Sequence, residues 1–538
     1  MAKSRLAALI WFAGLLAVAV QALAVASRYF QPWLSADYLY PQLFVEDVLA
    51  GRYPLAGWTL SSAPYFFPDM IGAIVLRAIA GPGTILPAYL VCSYLTLAVV
   101  AGWSLARATA TGWSGWLGGV VLVNAILAWW PVGDHAHYLW LLGTAGFHGG
   151  AIVLGLANAA LWLGDENPPG GVRWFVALAV LFVGMVSDTL FLTQAALPLG
   201  IALWLQADRQ WRQPRVRRYL QASLGSIAAV VLVRLALAAL GWFNFSRVVR
   251  YAPTPTAVGG AVAAFIRDFA QTLLPAGWGF ALLALASCLI AAVAARRGKT
   301  VAAAGGPDRR TALWFGLVSV AATILFPLGT AYWRDAQHVR YVLPWLVLPG
   351  WVALAWMLPA LAGWPRSGRA LVATAIIQLC LLGWAWPAID RARLAWPYSE
   401  QQARFDEFVA ARHLQHGLSD YWHAHTLNTL TRAPVRLFPL RPAGNASFWN
   451  NNAYWFYDAE PATGRLLEPA YTFIVTDGLD EAALRSRFGP PSSIARVGEL
   501  SVWLYDAPGS PRLNPAVERD VRNFLAGRPG ESRIEPRK

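Results

Sequence analysis

"ADRQWRQPRVRR", residues 207–218, places Arg209, Arg212, Arg215, Arg217 and Arg218 between two apolar runs, 191–206 and 219–240. Short basic loops between apolar segments stay on the cytoplasmic face of a membrane. This stretch therefore sets the side on which every other loop falls. Working outward, further candidate spans stand at 6–26, 84–106, 113–131, 149–163, 173–187, 272–295, 312–330, 340–362 and 370–387. Several reach the ~20 residues a helix needs to cross a hydrocarbon core of ~30 Å. With the N-terminus inside, the inner connections are 107–112, 164–172, 207–218, 296–311 and 363–369. Besides the five arginines above they hold Arg107, Arg296, Arg297, Lys299, Arg309, Arg310, Arg366 and Arg369. One more span would put the five-arginine loop outside. The run "FFPDMIGAIVLRAIA" (66–80) is short, opens with Pro68-Asp69 and carries Arg77. It is therefore expected to lie in the interface, which leaves about eleven spans.

Composition agrees. Of 538 residues 57% are hydrophobic and 13% charged, with mean hydropathy +0.44; soluble domains carry about 25% charged residues. The net charge of +14 does not point to nucleic acid. Only Lys3, Lys299 and Lys538 are lysines, and much of the arginine sits in the short loops, where topology accounts for it. Cys92, Cys288 and Cys380 lie inside apolar runs, with no metal-ligand spacing, which excludes a disulfide framework. Lys3, Arg5 and the later "ALAVAS" mimic a signal peptide. The run 6–26 is long enough to span, and is read as an uncleaved first helix.

This topology turns 27–83, 131–148, 188–190, 241–271, 331–339 and everything after Pro387 outward, which in a bacterial inner membrane means the periplasm. Residues 1–387 form the transmembrane domain, with juxtamembrane helices in the first outer loop, 27–83. The more polar stretch 388–510 is expected to be a small periplasmic α/β domain. "YTFIV" (471–475) and "ELSVWLYD" (499–506) read as strands, and "DEAALRSRF" (480–488) as a helix. Residues 511–538 read as a loose charged tail.

The outer side collects the chemistry. Asp37, Glu46, Asp47 and Asp69 lie in the first outer loop, and "GDHAHYLW" brings Asp134, His135 and His137 to the second. His148 opens the next span, Asp188 sits in "VSDTLF", and "YWRDAQHVRYVLPW" holds Arg334, Asp335, His338, Arg340 and Tyr341. Ionisable groups at a membrane boundary are expensive and are functional candidates by default. Each has a plainer reading: solvated loop carboxylates, histidines bonded to backbone carbonyls, an arginine anchoring a span end. Glu46 and Asp47 fit the polar side of an interfacial helix. The His-x-His pair lacks a clear third ligand for zinc.

The layout resembles the GT-C class of membrane glycosyltransferases, which includes protein O-mannosyltransferases and lipid A aminoarabinose transferases. In that class an acidic residue follows the first span, as Asp37 does in "SADYLYP", and juxtamembrane helices follow it, as 42–50 and 66–80 would. A second acidic site in the next outer loop is matched by Asp134. A late basic outer loop ending in Arg-Tyr and proline is matched by "HVRYVLPW". There is no Asp-Glu pair after the first span and no Trp-Trp-Asp motif.

The resemblance implies a hexosyl- or pentosyltransferase moving a sugar from a polyprenyl-phosphate donor to a periplasmic glycan, lipid or protein. Asp37 would be the acceptor base. Arg334, Arg340, His338 and Tyr341 would bind the donor phosphate. Asp134 and His137 would orient the acceptor or hold a divalent cation, with Asp69, Asp188 and His135 as secondary candidates. No other cofactor is implied. "SFWNNNAYWFYD" (447–458) would either stack rings on an acceptor glycan or simply pack. A transporter or flippase for a lipid-linked sugar, or a surface-glycan polymerase or ligase, is the alternative. A transporter would want ionisable residues in mid-span, of which Arg234 is the clearest, and an internal repeat, of which none has a convincing period.

Overall fold

The computed structural model describes residues 2–31, 34–79, 85–129, 131, 135–165, 167–246, 253–271, 307–359, 368–395, 397–460, 463–505, 512–528 and 531–535. The span expected at 272–295 lies outside the described residues. The chain divides into two compact units. The first comprises Met1–Pro32, Tyr65–Val231 and Val249–Leu394; the second comprises Trp33–Pro64, Leu232–Val248 and Ala395–Lys538.

In chain order the helices up to residue 385 are α1 (Ala2–Tyr29), α2 (Ala36–Ala50, in the second unit), α3 (Ile71–Ile79), α4 (Ile85–Thr109) and α5 (Trp113–Leu127). Then come α6 (His135–Gly143), α7 (Gly149–Trp162), α8 (Gly171–Ser187), α9 (Leu197–Gln206) and α10 (Pro214–Ala239). Last are α11 (Pro255–Asp268), α12 (Pro307–Gly329), α13 (Pro344–Met357) and α14 (Gly368–Ala385). Five stretches are long and apolar enough to cross a membrane: Ser4–Tyr29, Ile85–Thr109, Pro214–Ala239, Asp308–Gly329 and His338–Met357. Shorter apolar helices cover Trp113–Leu127, Gly149–Trp162, Gly171–Ser187, Leu192–Gln206 and Val372–Ala388. Every expected span among the described residues is thus an apolar helix. The segments read as outer loops hold two helices that were expected to be loop, α6 and α11. Helix α11 starts where Thr254 accepts the Ala257 N–H (3.2 Å) ahead of Pro255.

Small residues let the first unit pack closely. A Cβ on Gly119 of α5 would stand 2.2 Å from the Gly102 nitrogen of α4, so these backbones touch as only glycine allows. Between α1 and α5, Gln21 donates to Asn124 Oδ1 (2.6 Å), and Asn124 donates to the Gly14 carbonyl (3.1 Å). Helix α3 with its preceding turn covers Phe66–Ile79, about 21 Å at ~1.5 Å per residue, too short to span. Its Ile71, Val75 and Ile79 form an exposed apolar stripe.

The second unit is built on a five-stranded sheet. Its strands are β3 (His416–Asp420), β4 (Arg436–Leu440), β8 (Phe473–Val475), β9 (Ser493–Val497) and β10 (Leu500–Leu504), in the order β4-β3-β8-β10-β9. Two short strands between them in the chain, β6 (Asp458–Ala459) and β7 (Leu466–Leu467), pair with each other in a separate sheet. Strand β3 is parallel to β4 and β8, and β10 is antiparallel to β8 and β9. The period-two alternation gives both faces a core. Leu418, Phe438, Ile474 and Trp503 pack on one side, and Leu437, Phe473, Val475 and Val502 on the other. Around the sheet lie α15 (Glu400–Ala411), α16 (Tyr421–Leu430), α17 (Glu481–Phe488) and α18 (Leu513–Leu525). The start of α15 is a capping box formed by Ser399 and Gln402, and Asp480 caps α17 through the Ala482 and Ala483 N–H groups.

Three sequence expectations change here. Within 511–538, expected to be a loose tail, residues 513–525 form α18, which buries Leu513, Val517, Val521 and Leu525 in the unit's core. The domain does not begin at 388 alone. Strand β1 (Trp58–Leu60) pairs with β2 (Asn244–Phe245) and β5 (Asn451–Asn452), stitching two earlier loops into it. Asp47 does not face solvent from an interfacial helix. It is buried and accepts from Trp58 Nε1 (2.9 Å), Asn452 Nδ2 (2.8 Å) and Trp455 Nε1 (2.8 Å).

Candidate functional site

Helix ends in the first unit sort into two sets. At one end Arg215 meets Asp308 (2.7 Å), whose other oxygen accepts the Gly164 N–H (2.8 Å). Arg107 and Arg173 both pair with Asp165. Apart from Arg173, which opens the apolar run 173–187, these belong to segments read as inner connections, and Arg107 and Arg173 also donate to the carbonyl closing α7, at Leu163 (3.1 and 3.0 Å). The segments read as outer meet one another instead. The Tyr65 N–H donates to the Ser187 carbonyl (2.9 Å), and Trp333 Nε1 to Asp268 (3.1 Å).

That second set holds a buried polar cluster centred on His148 and Asp188. The sequence "GFHGG" (146–150) turns the chain into α7 through His148, whose φ is +68°. Gly149 follows because a Cβ there would stand 2.0 Å from the Leu142 carbonyl oxygen. The left-handed backbone at His148 is uncommon outside glycine and strained. His148 Nδ1 lies 2.6 Å from Asp188 Oδ2, both side chains being buried. Asp188 is fixed in the turn after α8 by accepting the Leu190 N–H at Oδ1 (2.9 Å). On the other side of the ring, His148 Nε2 faces the Tyr65 hydroxyl at 3.4 Å. An imidazole that donates Nδ1–H to a carboxylate presents Nε2 as an acceptor.

The segment 332–341 joins this dyad through ring contacts. The Tyr341 ring lies tilted at 5.5 Å from His148 and 5.9 Å from His338, and edge-on at 5.4 Å from Tyr332. The Arg340 guanidinium lies over the Tyr341 ring at 5.3 Å, and His338 Nδ1 is 3.0 Å from Asp335. Burial raises the Tyr65 hydroxyl well above its usual range; the Asp188 charge adds to this and the Arg340 charge opposes it.

Asp69 completes the group from the turn before α3. Tyr89 of α4 donates its hydroxyl to one carboxyl oxygen, and the Gly146 N–H donates to the other at 3.2 Å. Burial pushes this carboxyl up to about 6 against those donors, with Asp188 raising it further and His148 lowering it.

The sequence-derived candidates therefore separate. Asp69, Asp188, His338, Arg340 and Tyr341 come together with His148. Arg334 is exposed on the same loop. His137 packs on its neighbour Tyr138 (5.5 Å) within α6. Asp134 and the His135 side chain lie outside the described residues, so the cation pair Asp134–His137 has no geometry to weigh. Asp37 belongs to the second unit. It stands half-exposed in the first turn of α2 and accepts from the Tyr421 hydroxyl at 3.2 Å.

Around Asp37, the Tyr421 ring packs on Trp449 (4.8 Å) and His425 (4.7 Å). Burial lowers the His425 imidazole to about 3, so it is neutral at any working pH. The stretch 447–458 packs. Asn451, Asn452, Tyr454, Phe456 and Tyr457 are buried, and only Trp449 is markedly exposed. Sequence reasoning noticed His148 but gave it no role. The glycines flanking it were the available signal. The chain matches no known protein-family model and no curated protein.

Proposed function

We propose that this chain is a membrane glycosyltransferase of GT-C-like architecture. It would have about eleven spans in a bacterial inner membrane, the clustered ends of the first unit and the whole second unit facing the periplasm. The sugar would come from a polyprenyl-phosphate donor, since nucleotide sugars stay in the cytoplasm, and would pass to a hydroxyl of a periplasmic glycan, lipid or protein.

One observation carries this reading: a buried carboxylate–imidazole pair, Asp188–His148, joined through Tyr341 to Arg340 and His338 at one end of an apolar helical unit. Transfer without a covalent intermediate needs two things, a base for the acceptor hydroxyl and cations for the departing phosphate. In the proposed step the acceptor oxygen bonds to the anomeric carbon while the bond from that carbon to the phosphate oxygen breaks. The electron pair stays on the polyprenyl phosphate, beside Arg340 and His338. The hydroxyl proton moves to His148 Nε2, and Asp188 stabilises the imidazolium that forms. Tyr341 positions the imidazole.

The dyad replaces Asp37 as the preferred base because its imidazole is oriented and held by a carboxylate. The test compares Asp188→Asn and Asp37→Asn in a transfer assay. A loss of about 10²–10⁴ in rate, the usual range for a missing acid–base group, is expected for Asp188→Asn. If Asp188→Asn keeps its rate and Asp37→Asn is inactive, the base is Asp37.

A further inference from the structure

Beside the His148 cluster lies a cavity of about 280 Å³ between α3, α4 and α7. Val75, Leu76, Leu97, Leu142 and Val153 make it largely apolar, and Asp69 and Thr144 stand on its wall. Thr144 is 3% exposed, and among the described residues its hydroxyl has no hydrogen-bond partner. A buried hydroxyl without a partner is destabilising, so it marks a place where a ligand's polar atom belongs. The cavity borders the exposed flank of α4 at Cys92 and the apolar stripe of α3 at Val75.

Charge decides which amphiphile fits. Among the described residues that line it, Asp69 is the only carboxyl and there is no cation. A phosphate there would face a carboxylate with nothing to offset the repulsion. A neutral hydroxyl can donate to Asp69 and accept from Thr144, leaving the chain among the leucines and valines. We propose that this cavity binds one hydrocarbon chain of an uncharged, hydroxyl-bearing lipid, its hydroxyl held between Asp69 and Thr144. If the glycosyl-transfer reading holds, on which this further step rests, that lipid is the acceptor.

Binding is tested without any donor sugar, so it succeeds or fails independently of transfer. The full-length protein in detergent is irradiated with a diazirine-bearing stearyl alcohol or with the matching stearyl phosphate, and cross-linked peptides are mapped by mass spectrometry. The alcohol is expected to label peptides containing 72–97 and 142–153, to be competed away by unlabelled stearyl alcohol, and to label at least fivefold more than the phosphate. Thr144→Val should cut that labelling about fivefold while leaving labels elsewhere unchanged, and Asp69→Asn serves if Thr144→Val fails to fold. Equal or stronger labelling by the phosphate overturns the proposal. So does labelling indifferent to both variants, or none within those peptides.

Discussion

Asp47 shows how a single acid can hold a domain together while looking like surface decoration. Three N–H donors converge on it. Asp47→Asn would turn an amide NH₂ toward those donors, and a loss of about 2–4 kcal/mol is expected from the charge-assisted bonds and the stranded groups. It would be measured as a lower unfolding midpoint of the purified protein.

The same residue gives a pH dependence. Burial lifts its carboxyl to about 6 from 3.8, the donors only partly opposing this. Between about pH 4 and 6 the folded state therefore holds a proton that the unfolded chain has lost. The associated stability is complete below about pH 4 and disappears as pH rises through about 6, on the order of 3 kcal/mol. Unfolding midpoints of the wild-type protein should fall over that window, and Asp47→Asn should flatten the slope.

At this scale the sequence singled out Asp69, Asp188, Arg340 and Tyr341, because scarce polar groups at the ends of apolar runs are conspicuous, and the structure brings them together with His148. Sequence reasoning misjudged Asp47 because its partners, Asn452 and Trp455, lie some 400 residues away.

Elements were legible where periodicity or length was strong. The apolar runs, β8, β10 and α17 could be placed from pattern alone. Helix α18 was not, since its charged residues outweigh the four apolar positions, Leu513, Val517, Val521 and Leu525, that recur every four residues. Val517→Asp should unfold the second unit by placing a charge in its core, a penalty of several kcal/mol. Protease resistance of residues 397–505 would report it, and an unchanged digestion pattern would contradict the packing described. Strands β1, β2 and β5 are two or three residues long, below what alternation can reveal, so the unit's reach into two earlier loops was hidden.

For the molecule as a whole, loop charge was the informative signal. The five-arginine loop predicted which helix ends share a side, and the ion pairs of Arg107, Arg173 and Arg215 join those ends. Removing one partner of the buried Arg215–Asp308 pair strands a charge. Asp308→Ala should therefore cost about 3–5 kcal/mol, seen as a lower thermal midpoint in detergent, whereas the exposed Arg404–Glu400 pair should contribute under about 1 kcal/mol. What the sequence left open at this scale was convergence. Asp69, His148, Asp188 and Arg340 are far apart in the chain, and only packing of the helices brings them into one cluster.

The central claim, sugar transfer from a polyprenyl-phosphate donor, is tested most directly by incubating the purified protein with lipid extract from its own host, which carries the native donors and lipid acceptors. Mass spectrometry would then follow polyprenyl-phosphate sugars and free polyprenyl phosphate. The account predicts that sugar leaves the donor pool with equal release of polyprenyl phosphate, and that Asp188→Asn slows this at least a hundredfold while the protein stays folded. An unchanged donor pool with folded wild-type protein, or full turnover by Asp188→Asn, would contradict it.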